Sequence, residues 1–377
     1  MKIVVALDSF KGSLTSIEAG KSVKDGIIKA IPDALVNVFP LADGGEGTIE
    51  ALYHTIGGEI VKKTVIGPLF TPIESEYLIL KNNTAVIEIS KAAGLTLVDE
   101  KLRNPLNTTT YGVGELILDA IDNGCRNFII GIGGSATNDG GIGMLSALGF
   151  SFKDTEENSI TPNCAGLEKL STISAENISK NLSECHFSIA CDVTNPLCGK
   201  NGCSAVFAPQ KGAPDNHIEL MDSYLKKYAV LTCKLFPDAD MDYPGSGAAG
   251  GLGFAFRSYL NADLKSGISI IICETGIEEH IKDCDLVVTG EGRIDFQTVM
   301  GKAPHGIAQL AKKYNKKVIA FSGIVGKDAE KSNEHGIDAF FPILRNITSS
   351  EEALRKETTQ NNLTSTVYQV FRLINLF

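Results

Sequence analysis

Asp8, Lys11, Asp43, Glu46, Glu291 and Arg293 share one sequence context, because each lies shortly after a brief apolar run. Ile3 to Leu7 runs into Asp8-Ser9-Phe10-Lys11-Gly12, and Leu35 to Phe39 is soon followed by Leu41-Ala42-Asp43-Gly44-Gly45-Glu46-Gly47. Leu286 to Thr289 runs into Gly290-Glu291-Gly292-Arg293-Ile294-Asp295, and Val318 to Phe321 into Ser322-Gly323. If each run is a strand of a parallel sheet, these residues gather beyond the carboxyl ends of the strands. Such sheets bind ligands there, and helix N-termini face anions there. A single Asp-Gly pair at a strand end needs no ligand, since Gly supplies φ > 0 and Asp caps the next helix. Four such loops, with Lys11 and Arg293 among them, point to a site for a charged ligand.

A second set of loops lies in the middle of the chain. It comprises Gly131-Ile132-Gly133-Gly134-Ser135-Ala136-Thr137-Asn138-Asp139-Gly140-Gly141, Cys191-Asp192-Val193-Thr194-Asn195-Pro196, Pro209-Gln210-Lys211-Gly212 and Gly245-Ser246-Gly247-Ala248-Ala249-Gly250-Gly251. Glycine-rich loops bring backbone N–H groups close to phosphate oxygens. Gly131-x-Gly133-x-x-Ala136 and Gly245-x-Gly247-x-x-Gly250 have dinucleotide-fingerprint spacing. The first lacks an acidic residue placed for a ribose, and the second follows no convincing strand, so both are discounted. A phosphate loop of the G-x-x-x-x-G-K-[ST] type is absent, because Gly323-x-x-Gly326-Lys327 is too short and lacks the hydroxyl; the protein-kinase signature set is also missing. Asp238-x-Asp240-x-Asp242 opens like a calcium loop, yet Tyr243 takes the glycine position and Ala249 that of the bidentate glutamate.

The elements that must hold these loops are legible in outline. Thr15-Ser16-Ile17-Glu18 has capping-box spacing, Val23, Ile27 and Ile31 recur at helical intervals, and Pro32 stops the pattern. A second helix fits residues 48–56, so the chain opens β-α-β-α. Between 57 and 90 the period falls to two, with strands expected at 60–66, 77–80 and 85–89 in antiparallel order. Further strands are expected at 128–132, 187–190, 268–272, 286–289 and 318–321, with helices at 110–122 and 144–148. The polar stretch 151–183 reads as loops. The two ends of the chain repeat one helix–strand alternation, which places them in one sheet. The expected fold is therefore α/β with two domains: a discontinuous flavodoxin- or Rossmann-like parallel-sheet domain (1–88 and 269–377), an inserted α/β domain (89–268), and a cleft between them.

Composition agrees with such a fold. A length of 377 residues exceeds what one core usually serves, and 43% hydrophobic with 21% charged residues is ordinary globular usage. A net charge of −10, no Trp and 7% aromatics argue against nucleic acid as a partner. Nine cysteines, an odd number without metal-ligand spacing, read as free thiols of a reducing compartment. The apolar run after Met1-Lys2 is too short for a secretory signal, and no stretch reaches the length of a membrane span, so a cytoplasmic protein is expected.

Taken together the blocks resemble the type 1 glycerate kinase family, typified by D-S-F-K-G-S, L-A-D-G-G-E-G-T, I-G-G-S-A-T-N-D-G-G, C-D-V-x-N-P-L, P-Q-K-G-A, G-A-A-G-G-L-G and T-G-E-G-R-I-D-x-Q-T-x-x-G-K. They occur here from Asp8, Leu41, Ile132, Cys191, Pro209, Gly247 and Thr289 onward, across nearly the whole chain. The resemblance implies ATP-dependent phosphorylation of D-glycerate at the 2-hydroxyl, giving 2-phosphoglycerate, with ATP and Mg²⁺ as cofactors. The rival readings are a nicotinamide-dependent hydroxy-acid dehydrogenase and a non-catalytic ligand-binding protein on the same scaffold. Phosphoryl transfer demands positioning and charge neutralisation, so Lys11 and Arg293 are expected to neutralise phosphate or the substrate carboxylate. Asp43, Glu46 and Glu291 are expected to hold Mg²⁺. Asp192 is the leading general base, with Asp8 and Asp139 as alternates. Gln297, Thr298 and Lys302 would complete a phosphate clamp, and Ser9, Gly44, Gly45, Ser135, Asn138, Asp139, Asn195 and Lys211 would contact nucleotide or substrate. Oligomeric state stays open, a homo-oligomer included.

Overall fold

The computed structural model describes residues 1–296, 298 and 301–376. In chain order the strands are β1 (Lys2–Leu7), β2 (Leu35–Val38), β3 (Glu59–Ile66), β4 (Pro72–Ile79), β5 (Thr84–Glu88), β6 (Asn127–Gly131), β7 (Ser151–Lys153), β8 (Thr172–Ser174), β9 (His186–Ala190), β10 (Asp263–Lys265), β11 (Leu286–Ile294), β12 (Lys317–Val325) and β13 (Ala339–Pro342). They fall into two compact units. Unit 1 comprises Met1–Asp43, Glu50–Gly57 and Gly267–Phe377, and unit 2 comprises Gly44–Ile49 and Gly58–Ser266.

Unit 1 is built on a five-stranded sheet in the order β13-β12-β11-β1-β2, parallel throughout. Counted within the unit, this is the flavodoxin-like order 2-1-3-4-5, whose topological switch point lies between the strands called 1 and 3, here β1 and β11. β1 is central and apolar because both its faces are covered. Ile3, Val5 and Leu7 pack with Val23, Ile27, Leu363, Val367 and Phe371 of helices Ser16–Ala30 and Lys356–Ile374. Val4 and Ala6 point the other way and are equally buried, with helix Ala303–Lys313 packed against β1 and β11. The expected capping box is present: the Thr15 hydroxyl accepts from the Glu18 N–H, and the Glu18 carboxylate accepts from the Thr15 N–H.

Unit 2 carries a six-stranded sheet, β10-β9-β6-β5-β4-β3, antiparallel from β3 to β5 and parallel from β5 to β10. Its core gathers Ile87, Leu116, Ile117, Phe128, Ile130, Leu145 and Phe254. Two expectations change here. Residues 58–88 belong to unit 2 and not to the first domain, because β5 pairs with β6 (Val86 opposite Ile129), so the first boundary falls near 57. The run at 268–272 is not a strand but part of helix Gly267–Thr275; a short apolar run does not reveal its own periodicity. The stretch 151–183 contains the small β7–β8 pair. The nine cysteines are free thiols, and among the described residues no helix is long and apolar enough to cross a membrane.

Candidate active site

The carboxyl end of the unit 1 sheet opens onto a cavity of about 600 Å³. Its charged lining is made by six side chains that the strands deliver: Asp8 and Lys11 after β1, Asp43 in the loop after β2, Glu291 and Arg293 on β11, and Lys302 before helix Ala303–Lys313. Ser9 and Gly292 complete that wall. The Asp8 N–H donates to the Gly290 carbonyl at 2.9 Å, continuing the β1–β11 pairing to the lip of the cavity, so the charged groups sit at the switch point.

The charges are arranged in partial pairs. Lys11 Nζ lies 3.3 Å from Asp43 Oδ2, and the Asp43 charge is the main reason the Lys11 pKa is raised. Arg293 Nε donates to the buried Asp295 at 2.8 Å while its own side chain stays largely exposed. Glu291 is buried. Its Oε1 accepts from the Thr298 hydroxyl at 2.7 Å, its Oε2 lies 3.5 Å from Lys302 Nζ, and burial raises its carboxyl above the ordinary range. Asp8 is buried too. Burial first, then the neighbouring Asp43 charge, lift its carboxyl from 3.8 to about 7, although the Ser9 N–H donates to it at 2.6 Å. A carboxyl so poised can hold or release a proton near neutral pH.

Thr298, expected in a phosphate clamp, is fully buried and instead holds Glu291 in place. Gln297, expected beside it, lies outside the described residues. Lys302 and Ser9 both line the cavity.

The remaining candidates belong to unit 2. Asp139 is wholly enclosed. Its Oδ2 accepts from the Thr110 N–H (2.9 Å), the Thr110 hydroxyl (2.8 Å) and the Gly143 N–H (3.3 Å), and its Oδ1 from the Gly141 N–H (3.0 Å). Burial raises its carboxyl, while these four donors oppose the rise. Asp139, weighed as an alternate base, is thus enclosed by these donors. Asn138 is likewise buried, and its amide N–H donates to Ser204 Oγ at 2.9 Å. Lys211 is buried with its ammonium donating to Ser135 Oγ (2.7 Å) and to the Thr137 carbonyl (2.6 Å), and burial lowers its pKa to about 8. Lys211 and Ser135 thus anchor the 131–141 loop to each other.

Gly44 and Gly45 lie against Gly131 and Gly133. A Cβ on Gly131 would stand 2.2 Å from the Gly44 carbonyl, and one on Gly133 would stand 2.9 Å from Gly45 Cα, so the two glycine loops pack backbone to backbone. The 44–49 loop is held at its far end by Glu88, whose Oε1 accepts from the Ile49 N–H at 2.8 Å. Glu46 is exposed on that loop and does not line the unit 1 cavity. Asp192 is exposed in the segment after β9, and Asn195 nearby donates to the Asn201 carbonyl at 2.9 Å.

Three features escaped the sequence reading. Glu88 is an acid at the end of a buried strand, the same signal that marked Asp8. Asp295, which steadies Arg293, was visible only as part of a motif. The apolar residues of the cavity wall, Ile324, Ile343, Leu344, Ile347 and Leu354, have no sequence signature.

A family model described as the glycerate kinase family matches residues 3–375. The "Glycerate 2-kinase" of Escherichia coli (strain K12) is 46% identical over 356 residues, covering 94% of this chain and 93% of that protein. The "Glycerate kinase" of Haemophilus influenzae is 42% identical over 375 residues, 99% of each chain, and that of Bacillus subtilis is 44% identical over 354 residues, 94% of this chain and 93% of its own. Among solved structures, the crystal structure of the protein assigned as glycerate kinase 2 in Salmonella typhimurium LT2 matches with a TM-score of 0.89 and 44% identity, covering 100% of this chain and 98% of that one.

Proposed function

The chain belongs to the glycerate kinase family, and from that premise we propose that it transfers the γ-phosphoryl group of ATP to the 2-hydroxyl of D-glycerate. The observation that carries this reading is that Asp8, Asp43, Glu291, Lys11, Arg293 and Lys302 share one cavity wall at the switch point of a parallel sheet. Phosphoryl transfer asks for this mixture, since fixed cations neutralise the phosphate oxygens while carboxylates hold metal and accept a proton. Neither the dehydrogenase reading nor that of a non-catalytic binder finds support in the relatives named above.

Lys11, Arg293 and Lys302 receive the phosphates, Arg293 with a planar fork able to grip two oxygens at once. Among the described residues no three His, Cys, Asp or Glu side chains form a complete metal cage. Mg²⁺ does not need one: it is usually held by one or two protein carboxylates, with phosphates and waters filling its other positions. Asp43 and Glu291 fit that demand, and the bound ion would offset charge on the transferring phosphoryl. Glu46 stands outside this pair. Asp8, buried and titrating near neutrality, is the favoured base for the glycerate hydroxyl, and Asp192 remains its rival.

Incubating the pure protein with ATP, Mg²⁺ and D-glycerate and identifying the product by phosphorus NMR should give 2-phosphoglycerate. Glu291→Gln and Arg293→Lys should each lower kcat/KM by about 100-fold. Asp8→Asn should abolish the acidic limb of the pH–rate profile that Asp192→Asn leaves in place. Near-normal turnover in Glu291→Gln and Arg293→Lys, with the fold intact, would remove the site from this cavity.

A further inference from the structure

Resting on the ATP-dependent reading above, we propose that the apolar stretch of the unit 1 cavity wall that follows β13 is the nucleobase subsite. The purine ring lies against Leu344 and Ile347, and the triphosphate runs along the carboxyl edge of the sheet to Lys11, Arg293 and Lys302. The lining of the cavity changes along the sheet. The loops after β1 and β2, strand β11 and Lys302 carry the six charged groups. The stretch after β13 brings Ile343, Leu344 and Ile347, while Ile324 sits opposite Arg293 and Leu354 lies close to Gly12; the carboxamides of Asn346 and Asn362 line the cavity as well.

Ile324, Leu344, Ile347 and Leu354 are all exposed large apolar side chains, and Ile347 is wholly solvent-facing. Scattered surface apolar residues are ordinary, but a contiguous set lining a concave wall marks a ligand surface. Glycerate gives this wall nothing to bury, because each of its three carbons carries oxygen. A nucleotide has the matching polarity, an apolar ring at one end and a polyanion at the other. The order along the sheet fits as well. Asp8 follows β1, Glu291 and Arg293 lie on β11, Gly323 and Ile324 on β12, and the wall from Ile343 to Leu354 follows β13. Two strand spacings separate β11 from β13, roughly 10 Å, a distance suited to a ribose with its phosphate tail. Each carboxamide presents both a donor and an acceptor, which is what reading the edge of a base requires.

The test compares ATP with inorganic triphosphate, which carries the polyanion without the ring, as calorimetric titrants of the full chain. The double variant Leu344→Ser/Ile347→Ser, whose positions are exposed and whose melting temperature should be unchanged, is expected to weaken ATP binding and raise the KM for ATP by ~tenfold. Triphosphate binding and the KM for glycerate are expected to stay within about twofold. Equal weakening of ATP and triphosphate, unchanged ATP affinity, or a rise in the glycerate KM alone would each overturn the subsite. Should the double variant lose its fold, Ile347→Ser alone gives the same comparison. If wild-type protein phosphorylates no glycerate while the contrast between ATP and triphosphate holds, the substrate reading fails and the base subsite stands.

Discussion

Asp8 shows how one residue can be costly for the fold and useful for the reaction. Its carboxyl is buried beside Asp43 and titrates near 7, far above the 3.8 of an exposed aspartate. The folded chain therefore holds this proton more tightly than the unfolded chain does. The stability linked to the protonated form is complete below pH ~4, is lost between about 4 and 7, and above 7 the buried carboxylate is a standing cost. In metal-free buffer, Asp8→Asn should thus match wild type at pH 4 but exceed it by ~1 kcal/mol or more at pH 8, as read from urea unfolding midpoints, while losing catalysis. A variant no more stable than wild type at pH 8 would mean that Asp8 is hydrated and not desolvated. Arg293 belongs at the same scale. Asp295 fixes its Nε, so the guanidinium is pre-oriented, and a lysine in its place keeps the charge but not the fork.

At the scale of elements, the loop from Gly131 to Gly141 is held from inside by its own acid. Asp139 satisfies four donors around the start of helices Tyr111–Asp122 and Ile142–Ala147. Asp139→Ala would orphan them, and the expected loss is ~3–5 kcal/mol of unfolding free energy, with Asp139→Asn less harmful because an amide oxygen still accepts. A loss below ~1 kcal/mol in chemical denaturation would contradict this role. The same loop explains what the sequence could and could not reveal. Asp8, Asp43 and Glu291 were legible because each comes shortly after a brief apolar run of the sequence, and the carboxyl ends of such strands have a fixed relation to ligand sites in parallel sheets. Asp139, Asn138 and Lys211 sit in equally glycine-rich strings, but whether a polar side chain faces a ligand or its own backbone is decided by packing that local sequence does not record. Non-local pairing also decided the boundary: the antiparallel strands from 59 to 88 were recognisable, but not that β5 would pair with β6. The apolar wall from Ile343 to Leu354 has neither strand nor helix periodicity to announce it.

For the whole molecule, the nine cysteines carry no cross-link. Saturating dithiothreitol should therefore leave the melting temperature unchanged in scanning calorimetry, and a clear downward shift would reveal a disulfide. Unit 1 is drawn from three stretches of chain, and its central pairing joins Ile3 to Leu286. During translation, at about 5–20 residues per second, β1 must therefore wait on the order of tens of seconds before its partner emerges from the ribosome. Throughout that interval the strand that will carry Asp8 can pair with β2 on one side, but its β11-facing side is an unpaired apolar edge. The amino-terminal segment is the part of the nascent chain that chaperones have most reason to hold, while the residues that will form unit 2 are already free to find one another.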